Sequence, residues 1–178
     1  MQTQKSYDLI VIGAGPAGLI AAGRAAMLGA KVIVLEKMEK PARKLRITGK
    51  GRCNITNMRP FNEFIQEITP NPRFLNKAFG ALFNKQIIEI LDEMGVETVT
   101  ERGQRVFPAS GKAWDVADGL VKWAKKQGAE IYNHCPVAEI IEENKTVKGV
   151  KLDDNTEIIA PCIIIATGGK SYPATGST

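Results

Sequence analysis

Histidine occurs once in the 178 residues, cysteine three times, and aromatic side chains make up 6% of the chain. Each scarcity removes a class of chemistry. The lone His134 has no acid at a telling spacing, so it reads as structural and no catalytic base is assigned. Cys53, Cys135 and Cys162 lack metal-ligand spacing, and their odd number disfavours a full disulfide framework. A reducing cytoplasm is the expected setting. No second cysteine lies about four residues from Cys53, which disfavours a disulfide-reductase pair and leaves Cys53 as either a small packing residue or a single reactive thiol. Long hydrophobic runs are also missing. The longest apolar stretch, from Leu9 to Ala30, is broken by Pro16, Arg24 and several glycines, which argues against a membrane span or a signal peptide. There is no internal repeat, no low-complexity tract, and no basic strand interleaved with aromatics of the RNA-recognition type.

Acidic residues are nearly absent from one segment. Between Lys37 and Arg59, Glu39 is the only acid against a run of Lys and Arg, and the chain carries a net charge of +5. Such a segment is either a solvated face or a receptor for an anion, whether a phosphate-bearing cofactor or nucleic acid.

What is present is a globular composition, 44% hydrophobic and 24% charged. YDLIVIGAGPAGLIAAGRAAMLGAKVIVLE reads as strand, glycine turn, helix, strand. Leu9 to Ile12 and Lys31 to Leu35 are continuous apolar runs, as strands buried on both faces require. Between them the alanine-rich segment from Pro16 repeats apolar residues at helical spacing until Gly29 stops it. This is a parallel βαβ unit.

Residues 37–60 read as a long basic loop. From Phe61 to about Gly128 the pattern is mainly helical, with short strands near Val96 to Thr100 and Arg105 to Phe107 and both tryptophans placed in the core. Val137 to Glu142, Val147 to Leu152 and Thr156 to Ala160 read as a three-stranded meander, followed by a buried strand in CIIIATGG. The expected class is α/β: a doubly wound Rossmann-like sheet over 1–60 and 129–178, carrying the meander, with a mainly helical insertion over 61–128. A glycine-rich tail directly after a central strand suggests the N-terminal part of a longer, incomplete sheet.

Gly13-Ala14-Gly15-Pro16-Ala17-Gly18 matches GxGxxG between a strand and a helix, and Glu36 stands eighteen residues after the last glycine at the next strand's end. Those conditions make it a dinucleotide fingerprint. Gly13 permits the tight turn, Gly15 admits a pyrophosphate to the backbone, and Gly18 lets the helix approach the strand. The helix N-terminus offers N–H groups to phosphate. Glu36 suits ribose hydroxyls and disfavours a 2′-phosphate, so FAD and NAD both fit. GKGRCNITN, starting thirteen residues after Glu36, carries Thr48, Arg52, Asn54 and Asn57 as hydrogen-bonding groups, with Gly49 and Gly51 allowing close backbone approach. Ala166 to Gly169 at a strand end leaves room for a ligand.

GAGPAG, the basic segment reaching GKGRCNITN, RVFPASGKAWDV and ATGGKSYPATGST, in this order, closely resemble the BaiN/RdsA-like (aminoacetone oxidase-like) NAD(P)/FAD-dependent oxidoreductase family, over essentially the whole chain. The resemblance implies FAD as cofactor. Gly13, Gly15, Ala17 and Gly18 would hold its pyrophosphate and Glu36 its ribose, with Pro16, Lys37 and Lys44 among the binding residues. Thr48, Gly49, Gly51, Arg52, Cys53 and Asn54 would run toward the flavin. Val137 would serve the adenine, and Ala166, Thr167 and Gly168 would close the site. It further implies NAD(P)H as reductant and an activated carbon–carbon double bond as acceptor, either a steroid-like enone or a uracil of ribosomal RNA giving dihydrouridine. The rival reading is a non-catalytic module that binds FAD or NAD.

Overall fold

The computed structural model describes residues 6–171. The tail motif is therefore described only as far as Ser171, and the residues from Tyr172 onward lie outside the described part. The chain divides into two compact units, one built from residues up to Leu45 and from Leu120, the other from Arg46–Gly119.

In the first unit, β1 (Leu9–Ile12), α1 (Pro16–Met27) and β2 (Val32–Leu35) form the βαβ unit read from the sequence. Ile10, Val11, Val32 and Val34 are essentially solvent-free. Each such side chain stabilises the fold by about 1.5–3 kcal/mol relative to exposure, which is why the apolar runs settle into the middle of a sheet.

The second unit begins with α2 (Arg43–Ile47), which starts in the first unit, then a 3₁₀ turn at Thr48–Gly51 and β3 (Thr56–Asn57). The segment 37–60 is thus not one long loop. Its cations alternate with Leu45, Ile47 and Ile55 too sparsely for a periodic signal, and Ile55 N–H donates to the Val106 carbonyl at 2.8 Å to bring β3 into register. α3 (Phe61–Gln66), α4 (Asn76–Ala81) and α5 (Asn84–Glu93) follow. β4 (Thr98–Glu101) and β5 (Arg105–Pro108) complete an antiparallel sheet of order β3-β5-β4.

α6 (Ala113–Lys126) buries Val116, Leu120, Trp123 and Ala124 as its stripe predicts. Trp114 does not follow. It is 49% exposed, off the buried stripe, with the Arg46 guanidinium 4.4 Å from its ring centroid. The expectation of two core tryptophans holds for Trp123 alone.

β6 (Glu130–Tyr132), unforeseen in the sequence, pairs in parallel with β2. β7 (Val137–Glu143), β8 (Thr146–Leu152) and β9 (Glu157–Ile159) are the meander, and β10 (Cys162–Ile165) pairs in parallel with β1, Leu9 opposite Cys162 and Ile12 opposite Ile165. The parallel sheet has the order β10-β1-β2-β6. Tyr7, Ile10, Ile33 and Leu35 pack with Val150, Leu152 and Ala160, so the meander covers one face of the sheet. Among the described residues no helix is long and apolar enough to cross a membrane.

Candidate dinucleotide site

The order β10-β1-β2-β6 places successive strands on opposite sides of β1. Strand order reverses at β1, with β2 on one side and β10 on the other, and such a switch point forms a crevice at the carboxyl ends of the strands. A cavity of about 540 Å³ occupies that position, within the range of small-molecule sites. Ile12 and Gly13 from the end of β1, Leu35 and Glu36 from β2, and Ala166 to Gly169 after β10 line it. Gly15, Pro16 and Ala17 at the start of α1 add the helix N-terminus.

The glycine turn has three different local constraints. Gly13 sits at φ 100°, and a Cβ there would stand 2.6 Å from the Ala166 carbonyl oxygen. Gly18 is buried, and its Cβ would stand 2.0 Å from the Gly13 carbonyl oxygen. Gly15 meets nothing within 4 Å, so its missing side chain leaves cavity rather than packing. An open cradle beside a helix N-terminus that starts with Pro16 fits an anionic, elongated ligand such as the diphosphate of a dinucleotide. No residue of the first turn of α1 is acidic.

Glu36 lies half-buried at the wall. Its Oε2 accepts the Ala14 N–H and its Oε1 the Met38 N–H, each at 2.9 Å. Lys37 and Lys44 line the same cavity, and Lys44 Nζ donates to the Gly169 carbonyl, tying the ATGG segment to α2. Arg43 also lines it and pairs with Glu39 at 3.2 Å. Val137 opens β7 at the far wall, after Cys135 and Pro136. Cys135 N–H donates to the Glu36 carbonyl at 2.9 Å, which sets the distance of this wall from β2. Burial, and secondarily the charge of Asp154, push the Cys135 thiol up.

The structure thus gathers Gly13, Gly15, Pro16, Ala17, Glu36, Lys37, Lys44, Val137, Ala166, Thr167 and Gly168 around one cavity. Gly18 supports the turn from beneath rather than lining it. Thr48, Gly49, Gly51, Arg52, Cys53 and Asn54 belong to the second unit and are not in this lining. Sequence reasoning missed Arg43, Ala42, Cys135 and Pro136. Arg43 neighbours a residue that was read, but Cys135 and Pro136 are placed by β6, whose three residues carry no periodic signal.

Within the second unit the GKGRCNITN segment has an ordered geometry of its own. Gly49 and Lys50 take left-handed conformations at φ 55° and 56°, followed by Gly51 at 86° and Cys53 at 60°. Cys53 N–H donates to the Thr48 carbonyl and Arg52 N–H to the Gly49 carbonyl, each at 3.1 Å. Arg52 pairs with Glu101, and its guanidinium lies 4.4 Å from the Phe107 ring centroid. Cys53 is 1% exposed, and burial pushes its thiol up against a smaller lowering from the Thr48 side chain. That environment suits packing better than reactivity. Among the described residues no group of three or more His, Cys, Asp or Glu is placed to hold a metal ion.

The class this geometry defines is the Rossmann-like α/β domains. Residues 7–178 match the HI0933-like protein Rossmann domain, and the chain belongs to that family. It is 32% identical over 177 residues to the ribosomal RNA dihydrouridine synthase of Haemophilus influenzae, a match covering 95% of this chain and 42% of that protein. It is 29% identical to the 3-dehydro-bile acid delta(4,6)-reductase of Clostridium scindens, over 94% of this chain and 40% of that protein. The chain therefore spans about two fifths of the length of these relatives. In fold it is similar to the 3-ketosteroid-delta4-(5alpha)-dehydrogenase of Rhodococcus jostii, with a TM-score of 0.69 at 16% identity, over 96% of this chain and 48% of that one.

Proposed function

We propose that this chain is the N-terminal, cofactor-holding portion of an FAD-dependent oxidoreductase that passes hydride from NAD(P)H to an activated carbon–carbon double bond. The observation that carries the reading is the cavity at the sheet's switch point, open at Gly15 and walled by Glu36, Val137 and Ala166 to Gly168. When bound, FAD supplies the hydride chemistry between a reduced nicotinamide and an acceptor. The chain's own residues bind and orient it. The N–H groups opening α1 and the ammonium of Lys44 face the diphosphate, Glu36 accepts from the ribose hydroxyls, and main-chain groups near Val137 meet the adenine.

The names of two relatives support this choice of acceptor. One is named for making dihydrouridine in ribosomal RNA and another for reducing a bile acid. Both names fit saturation of a double bond conjugated to a carbonyl, and the basic segment suits the RNA acceptor.

An absorption spectrum of the purified chain, taken after incubation with FAD and desalting, tests the reading. Retained flavin bands, released as FAD on denaturation and bleached by NADH or NADPH, are the expected result. A folded but colourless protein that gains melting temperature with NAD overturns the FAD assignment. Retained flavin that neither nicotinamide bleaches replaces catalysis with a binding module.

A further inference from the structure

Glu36 has a task besides the ribose. One of its carboxylate oxygens accepts from Ala14 and the other from Met38, each at 2.9 Å. Ala14 is buried in the middle of the glycine turn, and its own carbonyl accepts the Ala42 N–H at 2.9 Å. Met38 opens the basic segment after β2, and its carbonyl accepts the His134 N–H at 3.2 Å. A single carboxylate therefore joins the turn after β1 to the segment after β2. Both bonds are charge-assisted. Without them the buried Ala14 N–H loses its partner, a cost that falls on the turn itself.

We propose that Glu36 is a positioning residue for the phosphate end of the cavity: it fixes the Gly13–Ala14–Gly15 backbone before any ligand arrives. An ionised carboxylate has about four lone-pair sites, so the two bonds to the backbone leave capacity for ribose hydroxyls. The two roles separate chemically. A ribose contact disappears when the hydroxyls are removed from the ligand, whereas a misplaced turn weakens any ligand carrying the diphosphate. The ligand side of this inference rests on the dinucleotide reading of the cavity.

The experiment compares wild type, Glu36→Gln and Glu36→Ala by calorimetric titration with ADP and with 2′,3′-dideoxy-ADP. Amide hydrogen exchange of Ala14 and Met38 is measured in the ligand-free proteins. The expected result is a loss of about tenfold or more in affinity for both nucleotides in each variant. The Ala14 and Met38 amides are expected to exchange faster, with the helical signal unchanged in Glu36→Gln. If the variants weaken ADP but leave dideoxy-ADP unchanged, Glu36 serves the ribose alone and the proposal is overturned. Unchanged exchange at Ala14 and Met38 overturns it as well, independently of any nucleotide. Should wild type bind neither nucleotide, the dinucleotide reading fails and the positioning of a phosphate end fails with it.

Discussion

The carbonyl oxygen of Gly13 stands 2.0 Å from the point a Cβ would occupy on Gly18. No side chain fits there without moving the turn or the helix. Gly15, two residues from Gly13 and three from Gly18, has nothing within 4 Å of the point its Cβ would occupy. The fingerprint glycines therefore divide into two that hold the backbone and one that holds space. Gly18→Ala is expected to cost about 1–3 kcal/mol through overpacking. Gly13→Ala adds strain at φ 100° to its clash with Ala166, again about 1–3 kcal/mol. Gly15→Ala, at φ −75°, is expected to cost less than about 1 kcal/mol as a poorer N-cap, yet to weaken ADP at least tenfold. Denaturant midpoints set beside ADP titrations check all three. A stable Gly18→Ala, or an unimpaired Gly15→Ala, contradicts the division.

The parts of this site that were legible in the sequence are those with a strong local cause. The apolar runs of β1 and β2, the glycine spacing and Glu36 at the end of β2 are all set by neighbours within about twenty-five residues of each other. The meander was legible because its turns are polar and its strands alternate. Cys135 and Pro136 reach the cavity through β6, whose pairing with β2 is a contact across about a hundred residues. Three residues of strand between turns leave nothing periodic to read. Trp114 went astray for another reason: it lies on the same helix as Trp123 but not on the same face, and a stripe counted loosely admits both. Gly23 carried no motif at all, yet a Cβ on it would stand 2.1 Å from Trp123.

Tyr7 and Tyr132 both donate to Oε2 of Glu130, at 2.9 and 3.0 Å. Tyr7 is buried, and burial first, then the hydrogen bond and charge of Glu130, push its phenol well above its ordinary value of 10.0. The folded state therefore keeps its proton where the unfolded chain loses it. Below pH 10 both states are protonated and the stability is whole. Above it the unfolded state is favoured by up to about 1.4 kcal/mol per pH unit. Denaturation at pH 8, 10 and 11.5 should show stability falling over the upper interval. Tyr7→Phe should flatten that fall while costing about 1 kcal/mol at pH 8. An equal slope in Tyr7→Phe would assign it to other groups.

The three thiols sit in three different environments: Cys162 exposed, Cys135 half-buried at the cavity wall, Cys53 buried. Burial pushes the last two thiols up, which lowers their thiolate fraction at neutral pH. A thiol-disulfide reagent at pH 8, followed by peptide mass spectrometry, should label Cys162 first and Cys135 more slowly. Cys53 should react only in denaturant. ADP should slow Cys135 and leave Cys162 unchanged. Native labelling of Cys53 as fast as Cys162 would contradict the packing role.

Arg52 of GKGRCNITN has both a charged and an aromatic partner, Glu101 and Phe107. Its two terminal nitrogens both reach the Glu101 carboxylate, and the guanidinium lies over Phe107, itself 5% exposed. Glu101 is held opposite Arg105 in the β4–β5 register. The pair is partly exposed, so the ion pair contributes at most about 1 kcal/mol, and the stacking adds about 0.5–1 kcal/mol. Arg52→Ala is expected to cost about 1–2 kcal/mol, and Glu101→Gln less, since the stacking survives it. Arg52→Lys should behave nearly like the alanine variant, because an ammonium has neither the fork that matches a carboxylate nor the plane that covers a ring. Chemical denaturation of the three single variants and of the Arg52→Ala/Glu101→Gln double variant measures the coupling. If lysine restores wild-type stability, the charge alone is at work and the planar fit to Phe107 and Glu101 contributes nothing.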